Sequence, residues 1–216
     1  MHPAIFISGA ALCGAGAGAA CIPLVNRYLV KLEKTVLSRK SCAVFIIVLA
    51  LLWAAAFGVL GWGAQAFLIS LAASALLSLS WIDWSTYEIP FAYNVFIFGL
   101  GVLALVFDLS HWYEYVIGFF AISLPLLILF YATKGAAIGG GDVKLMAACG
   151  MLRGWKLVLL GFVTGCIIGS VVHILRMKIS GEKHMLAMGP YLSIGIFLSA
   201  LFGNAVITWY LSMLGL

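Results

Sequence analysis

The chain has 216 residues, of which 65% are hydrophobic and 9% charged. Soluble domains carry about 25% charged residues, so this composition excludes a soluble globular protein and indicates an integral membrane protein. The net charge of +5 does not point to nucleic acid as a partner, because charges this sparse cannot form a phosphate-binding face. The lipid bilayer is the expected surrounding. The five cysteines form no Cys-x-x-Cys pair, which argues against a zinc knuckle or a redox dithiol.

Eight apolar segments follow one another along the chain, and a membrane-spanning helix needs about 20 such residues. The predicted spans are residues 3–25, 42–60, 64–82, 91–107, 115–132, 142–152, 155–175 and 192–211. The sixth, after a run of three glycines, is short for a full crossing. The sequence therefore predicts an all-α, polytopic membrane helix bundle of about eight transmembrane helices, in a single domain over residues 1–216.

Small residues recur every four positions in three of these spans, a spacing that favours close packing between membrane helices. They are Gly14 and Gly18 in the first span, Ser70, Ser74 and Ser78 in the third, and Gly161, Gly165 and Gly169 in the seventh.

Residues 26–41 carry five lysines and arginines against the single acid Glu33, so they are predicted to form a short basic cytoplasmic loop. If the spans alternate, every lysine and arginine except Arg153 and Lys156 lies on that side. This bias predicts that both termini face outward. The first residues lack the basic region of a cleavable signal peptide, so the first span is expected to be retained.

Two acids stand at the predicted cytoplasmic boundary. Asp83 ends the third span, and Asp142 follows Gly139, Gly140 and Gly141. A glycine run allows the backbone to bend, and an acid at such a break in a membrane protein is a candidate functional group. Two carboxylates held close together share a proton, so that one acts as base and the other as acid. Such a pair can activate a water for attack on a peptide carbonyl and protonate the leaving amine.

Each acid also has a structural interpretation. Asp142 could be the N-cap of the sixth helix, accepting backbone N–H groups, and Asp83 could be an interfacial side chain solvated among the headgroups. Spacing alone does not establish that the two side chains meet.

Three segments resemble the motifs of the type IV prepilin peptidases. Residues 83–90, Asp-Trp-Ser-Thr-Tyr-Glu-Ile-Pro, resemble the first aspartate motif of that family. Residues 138–145 closely resemble its second motif, Gly-x-Gly-Asp-x-Lys-Leu, and residues 187–195 are similar to its late Gly/Ala-Pro segment. The similarity covers about residues 71–195, which form the core carrying both aspartates.

This resemblance implies a membrane aspartic endopeptidase that cleaves the basic leader of a prepilin or pseudopilin after a glycine, on the cytoplasmic side of a prokaryotic inner membrane. Asp83 and Asp142 would be the catalytic pair, without a metal or a cofactor for proteolysis. The supporting motif residues would be Gly139, Gly140, Gly141, Lys144, Pro90, Gly189 and Pro190, with the glycines letting Asp142 face its partner. For Lys144, tuning of nearby charge and simple snorkelling to the interface are both open.

The chain departs from the long form of the family at residues 26–41, which are short and contain no cysteine. Many members carry a zinc-binding insertion here and also methylate the new N-terminus with S-adenosylmethionine. That cofactor is expected only if the methylase activity is retained, so a bifunctional peptidase and N-methyltransferase is an alternative. Without an evident metal site, inhibition by chelators is not expected; if it occurred, His111, His173 and His184 would be the candidate ligands.

Three further alternatives belong to other classes. A small ion-coupled transporter would show an inverted repeat with two broken helices, whereas one glycine break is evident here. A catalytically inactive scaffold subunit would not need the two acids. A presenilin-like peptidase shares the Gly-x-Gly-Asp motif but typically pairs it with Tyr-Asp, whereas Ile82 precedes Asp83.

Overall fold

A computed structural model describes residues 3–180 and 186–215, with side chains from residue 6 to 179 and from 186 to 215. The predicted basic residue Lys183 and candidate ligand His184 lie outside the described residues. The chain divides into two compact units, Met1–Ile89 and Pro90–Leu216. The single domain expected over residues 1–216 stays a prediction.

Throughout the described parts of the chain, the regular structure is helical. The first unit contains α1 (Pro3–Lys31), α2 (Arg39–Leu60) and α3 (Ala64–Thr86). The second contains α4 (Phe91–Phe107), a single 3-10 turn (Leu109–His111), α5 (Trp112–Ala121), α6 (Ser123–Ala132), α7 (Gly140–Ser180) and α8 (Gly189–Met213).

The predicted all-α membrane bundle is confirmed, and the chain is a multi-pass membrane protein. Among the described residues, six helical stretches are long and apolar enough to cross a membrane, and α4 is a shorter apolar helix. The count is lower than the predicted eight because α4 is counted separately and because the sixth and seventh predicted spans, two helices that meet at a kink, are counted together as α7. The backbone leaves the helical region inside α7 at Gly154, with φ 76 and ψ 171, which lies between the two predicted spans.

The small residues of α1 allow the close packing that the sequence predicts. A Cβ atom on Gly14 would lie 2.8 Å from Cβ of Trp53, and one on Gly18 would lie 3.1 Å from Cα of Ile46. Both neighbours belong to α2. Since no larger side chain fits at this separation, the two glycines set how closely α1 approaches α2.

The serine stripe of α3 is also a packing surface. Ser70, Ser74 and Ser78 are all buried. The indole N–H of Trp53 on α2 donates to Oγ of Ser74 at 3.0 Å, and the Ser74 hydroxyl donates to the carbonyl of Ser70, also at 3.0 Å. The stripe thus brings the two helices together and provides a partner for a buried indole.

In the second unit, α7 packs against α4, α5, α6 and α8. Glycines lie at the closest approaches: Gly118 of α5 faces Gly150 of α7, and Gly195 of α8 faces Gly161 and Gly165. The predicted packing role of the seventh-span glycines is confirmed. The sequence pattern did not single out their partner Gly195 as a packing residue.

The predicted loop at residues 26–41 is shorter than expected. Helix α1 continues to Lys31 and α2 begins at Arg39, so only residues 32–38 connect them. Residues 26–31 contain no glycine or proline that would end the helix, and Leu29 is buried. The Asn26 side chain accepts the backbone N–H of Leu37 at 3.0 Å, which fastens this short connection to the end of α1.

The predicted fifth span is two helices, α5 and α6, separated at Ile122. The cause is Pro125, which has no N–H to donate and whose ring clashes with the carbonyl four residues earlier. That residue is Ala121, the last of α5. The Ser123 hydroxyl donates to the carbonyl of Phe119. This hydrogen bond provides a partner for one backbone carbonyl at the break.

Candidate active site

Asp83 lies in the last turn of α3 rather than at the end of the helix as predicted. Three more helical residues follow it, and its carbonyl accepts the backbone N–H of Tyr87 at 2.8 Å. Tyr87 has the left-handed backbone, φ 57, that commonly ends a helix. The Asp83 side chain is only 5% exposed. The structure therefore does not support a side chain freely solvated among headgroups.

Asp142 lies in the first turn of α7, which begins two residues earlier than predicted, at Gly140. Asp142 is therefore not the N-cap, which was one interpretation of the sequence. A carboxylate in the first turn still interacts favourably with the positive end of the helix dipole. The side chain is 8% exposed, and the nearby Leu145 and Met146 of the same helix are fully buried.

The three glycines contribute differently from the expected loose break. Gly140 and Gly141 are helical, and the left-handed backbone lies earlier, at Lys134 and Gly135 with φ 51 and 79. Gly139 is the residue that touches the acid: its carbonyl accepts the Asp142 N–H at 3.1 Å. A Cβ on Gly139 would lie 3.0 Å from Oδ2 of Asp142. The absence of a side chain at this position leaves room for the carboxylate.

The supporting motif residues occupy defined positions. Pro90 is the N-cap residue of α4. Gly189 and Pro190 form the first turn of α8, rather than preceding the helix as predicted, and proline is favoured there because the first turn has N–H groups without helical partners. The Lys144 ammonium lies over the ring of Phe91, 5.2 Å from its centroid. The functional roles of all these residues stay predictions.

The two predicted catalytic acids lie in different compact units, Asp83 in the first and Asp142 in the second. Both are buried, and both belong to helices with the composition of membrane spans. Burying a carboxylate is expensive unless it is paired or neutralised. Acids kept at such positions are therefore candidate functional groups.

A polar cluster in the second unit joins two segments that were predicted to face outward. Lys156 forms a 2.9 Å ion pair with Glu114, which links the part of α7 just beyond Gly154 to the start of α5. Near Glu114, the ring of His111 donates to Asp108 at 2.8 Å, and this hydrogen bond, with one from Ser110, holds the pKa of Asp108 below its ordinary value. The cluster is largely exposed, so it is a surface feature rather than a candidate catalytic group.

In the parts of the chain that the structure describes, no three His, Cys, Asp or Glu side chains are grouped closely enough to hold a metal ion. The His111 ring is paired with the Asp108 carboxylate, and His173 lies within α7. The prediction that no metal is needed is untested.

Two buried polar side chains were missed by the sequence analysis. Asn94 in α4 and the hydroxyl of Tyr191 in α8 have no hydrogen-bond partner among the described residues. Asn94 is 3% exposed and Tyr191 is 5% exposed. A signal for Asn94 was present, because an amide inside an apolar 17-residue segment is unusual. Tyr191 carries no comparable signal, since tyrosine is common in membrane helices near the interface.

Comparison with known proteins identifies relatives. Residues 70–174 match the model of the Type IV leader peptidase family. The prepilin leader peptidase/N-methyltransferase of Aeromonas salmonicida (strain A449) is 31% identical over 164 residues, which cover 70% of this chain and 54% of that protein. The protein of the same name from Bacillus subtilis (strain 168) is 30% identical over 126 residues, covering 56% of this chain and 50% of that protein.

A third relative, from Pectobacterium carotovorum subsp. carotovorum, is 34% identical over 146 residues, covering 62% of this chain and 49% of that protein. The chain thus spans about half the length of the curated relatives it matches. No solved structure matches the chain significantly. The family match includes both buried aspartates and Lys144, while Gly189 and Pro190 lie beyond it. The similarity to the Type IV leader peptidase family thus extends over residues 70–174, just under half of the chain.

Proposed function

We infer that this protein is a leader peptidase that cleaves the leader from prepilins or pseudopilins. The observation that carries this proposal is the family match over residues 70–174, which contains two carboxylates that are nearly excluded from solvent, Asp83 and Asp142. The relatives are named for acting on prepilins, and the same substrate class is proposed here.

The proposed chemistry is that of an aspartic endopeptidase. In this proposal, Asp83 and Asp142 act as a pair that shares one proton. The ionised carboxylate takes a proton from a water, which attacks the scissile carbonyl after the leader's terminal glycine. The protonated partner gives its proton to the departing amine. The pair titrates as a unit, so neither acid has a fixed role in the resting enzyme.

The proposed location is the inner membrane of a prokaryotic cell, with both termini outside and the two acids at the cytoplasmic face. The excess of lysine and arginine in residues 26–41 supports this orientation. The contact between Glu114 and Lys156 supports the alternation of the spans, because alternating spans assign both residues to the same side. A basic leader on the cytoplasmic side would then meet the acids directly.

Whether the protein is also a methyltransferase is a separate question. The relatives are named for both activities, but this chain spans only about half their length. Proteolysis by two carboxylates requires no cofactor, whereas N-methylation would require S-adenosylmethionine. The peptidase activity alone is proposed here, with the bifunctional enzyme as the alternative.

The purified chain in detergent tests this function when incubated with a candidate prepilin, with and without S-adenosylmethionine. We expect release of the leader at the bond after its terminal glycine, and equal cleavage with and without the methyl donor. A substrate in which that glycine is replaced by a bulky residue should be cut poorly. Cleavage indifferent to this residue would contradict the proposal.

A further inference from the structure

The second unit contains a cavity of about 280 Å³ on a part of its surface away from the predicted catalytic acid. Its lining comes from α4, α5 and the start of α7, and includes Phe91, Asn94, Val95, Phe98, Phe119 and Lys144. We call this cavity the α4–α7 groove. Three of its α4 side chains, Phe91, Val95 and Phe98, are substantially exposed, so in a membrane the groove is open to lipid.

The groove does not belong to the predicted catalytic site. Successive residues of a helix are rotated by about 100°, so Lys144 points to nearly the opposite side of α7 from Asp142. The exposures agree with this geometry, because Asp142 is buried and Lys144 is exposed. A ligand in the groove would therefore lie on the other side of α7 from the proposed dyad.

The Asn94 amide in this groove has no partner. Both its Nδ2 and its Oδ1 lack a hydrogen bond among the described residues, although the side chain is only 3% exposed. A buried amide without a hydrogen bond is destabilising, and apart from Lys144 the surrounding lining is largely apolar. A ligand that brought a carbonyl oxygen to this depth would accept a hydrogen bond from Nδ2.

The charge in the groove is positive. Lys144 is the one charged residue among the described residues that line it, and its ammonium lies 5.2 Å from the centre of the Phe91 ring. Phe91 is the first residue of α4, directly after the polar connection that follows α3. The cation thus lies at the boundary end of a membrane helix, where lysines meet lipid headgroups.

We propose that the α4–α7 groove binds one anionic phospholipid. The order of groups along α4 corresponds to the order of groups along such a lipid. Lys144 lies at the level of Phe91, where a phosphate would be. Asn94 lies about 4.5 Å deeper along the helix, where an ester carbonyl would accept its N–H. Phe98 lies about 10 Å below Phe91 and forms an apolar wall with Val95 for the start of the acyl chain.

Native mass spectrometry of the full chain in detergent tests this site. The protein is mixed with equal amounts of dioleoylphosphatidylglycerol and dioleoylphosphatidylcholine, and the lipid retained is measured. We expect the anionic lipid to be retained about fivefold over the zwitterionic one, the factor expected of one lysine at an anionic headgroup. No substrate is turned over, so the result stands whether or not the protein is a peptidase.

Two variants with matched controls locate the lipid. Lys144→Gln should abolish the preference for the anionic lipid, whereas Lys178→Gln, at an exposed lysine near the end of α7 and beyond the Gly154 kink, should retain it. Asn94→Leu should lower retention of both lipids about five- to tenfold, the effect of losing one buried hydrogen bond. Asn204→Leu, at an exposed asparagine of α8, should not.

Equal retention of the two lipids by the unsubstituted protein would overturn the proposal. So would retention in Lys144→Gln that matches the unsubstituted protein. Displacement of the phosphatidylglycerol by a prepilin leader peptide, lost in Asn94→Leu, would assign the groove to the substrate instead. If Asn94→Leu is not monodisperse by gel filtration, the Lys144→Gln result decides alone. The Lys144 side chain is exposed, so its replacement should leave the fold intact.

Discussion

Gly139 and Asp142 are in direct contact: the Gly139 carbonyl accepts the Asp142 N–H at 3.1 Å, and any side chain on Gly139 would begin 3.0 Å from Oδ2 of the carboxylate. Gly139 does not have the left-handed backbone, and the left-handed glycine of this connection is Gly135. The requirement for glycine at position 139 is therefore one of space beside the acid.

Gly139→Ala should therefore impair cleavage more than stability. The added methyl would push the end of the Asp142 side chain aside, and a displacement of this size at a reacting group lowers rates by roughly ten- to a hundredfold. Gly140→Ala is the matched control, because its methyl would meet the Phe130 ring at an ordinary 3.6 Å. Leader-cleavage rates and thermal unfolding in detergent measure both effects. Equal cleavage by the two variants would contradict this role of Gly139.

Gly195→Ala should destabilise the second unit. A methyl on Gly195 would point into the backbone of Gly161 and Gly165, so α7 and α8 would have to separate. Overpacking of this kind destabilises a protein by about 1–3 kcal/mol, which should appear as a lower thermal unfolding temperature in detergent.

Gly99→Ala is the control for Gly195→Ala, because a methyl on Gly99 has no atom within 4 Å. Its unfolding temperature should equal or slightly exceed that of the unsubstituted protein. A Gly195→Ala protein as stable as Gly99→Ala would show that the two helices are free to move apart.

The sequence predicted those features that depend on local pattern. Helix α4 begins and ends at the predicted residues, Phe91 and Phe107, because a polar connection ending in Pro90 precedes it and a polar turn follows. The small-residue spacing of Gly14 and Gly18 predicted a close helix contact. This prediction was possible because the spacing of residues along one helix face can be read from the sequence without knowing which helix packs against it.

Features that depend on tertiary contacts were not predictable. Helix α1 ends at Lys31, beyond the predicted end of the first span at residue 25, because Leu29 is buried by neighbouring residues. A hydropathy pattern does not show such burial. The orphaned amide of Asn94 became evident only when the groove around it was visible. Whether Asp83 meets Asp142 depends on the arrangement of two separate units. A sequence motif does not give the distance between two side chains.

Ser74→Ala should destabilise the first unit. The substitution leaves the buried N–H of Trp53 without its 3.0 Å acceptor, and an unsatisfied buried donor costs about 1–3 kcal/mol. Ser80→Ala is the matched control, because among the described residues the Ser80 hydroxyl bonds to the carbonyl of Leu76 in its own helix and to no other group. Tryptophan-monitored unfolding in detergent compares the two. Equal unfolding temperatures would show that the indole finds another partner.

Cysteine labelling in cells tests the proposed orientation. In a background without the native cysteines, Lys156→Cys should react with a membrane-impermeant maleimide added to intact cells. Lys34→Cys, which is also exposed, should react only after the cells are permeabilised. The reverse pattern would place the basic connection outside and would contradict the cytoplasmic position of the two acids.

The central claim is that Asp83 and Asp142 act as one catalytic unit. Leader cleavage by the purified Asp83→Asn and Asp142→Asn proteins and by the double variant tests this claim most directly, with Asp108→Asn as the control acid from the exposed cluster. Because groups that act together are strongly non-additive, we expect each single variant to lose as much activity as the double variant, at least a thousandfold, while Asp108→Asn cleaves normally. Cleavage at the unsubstituted rate by either Asp83→Asn or Asp142→Asn would contradict the account.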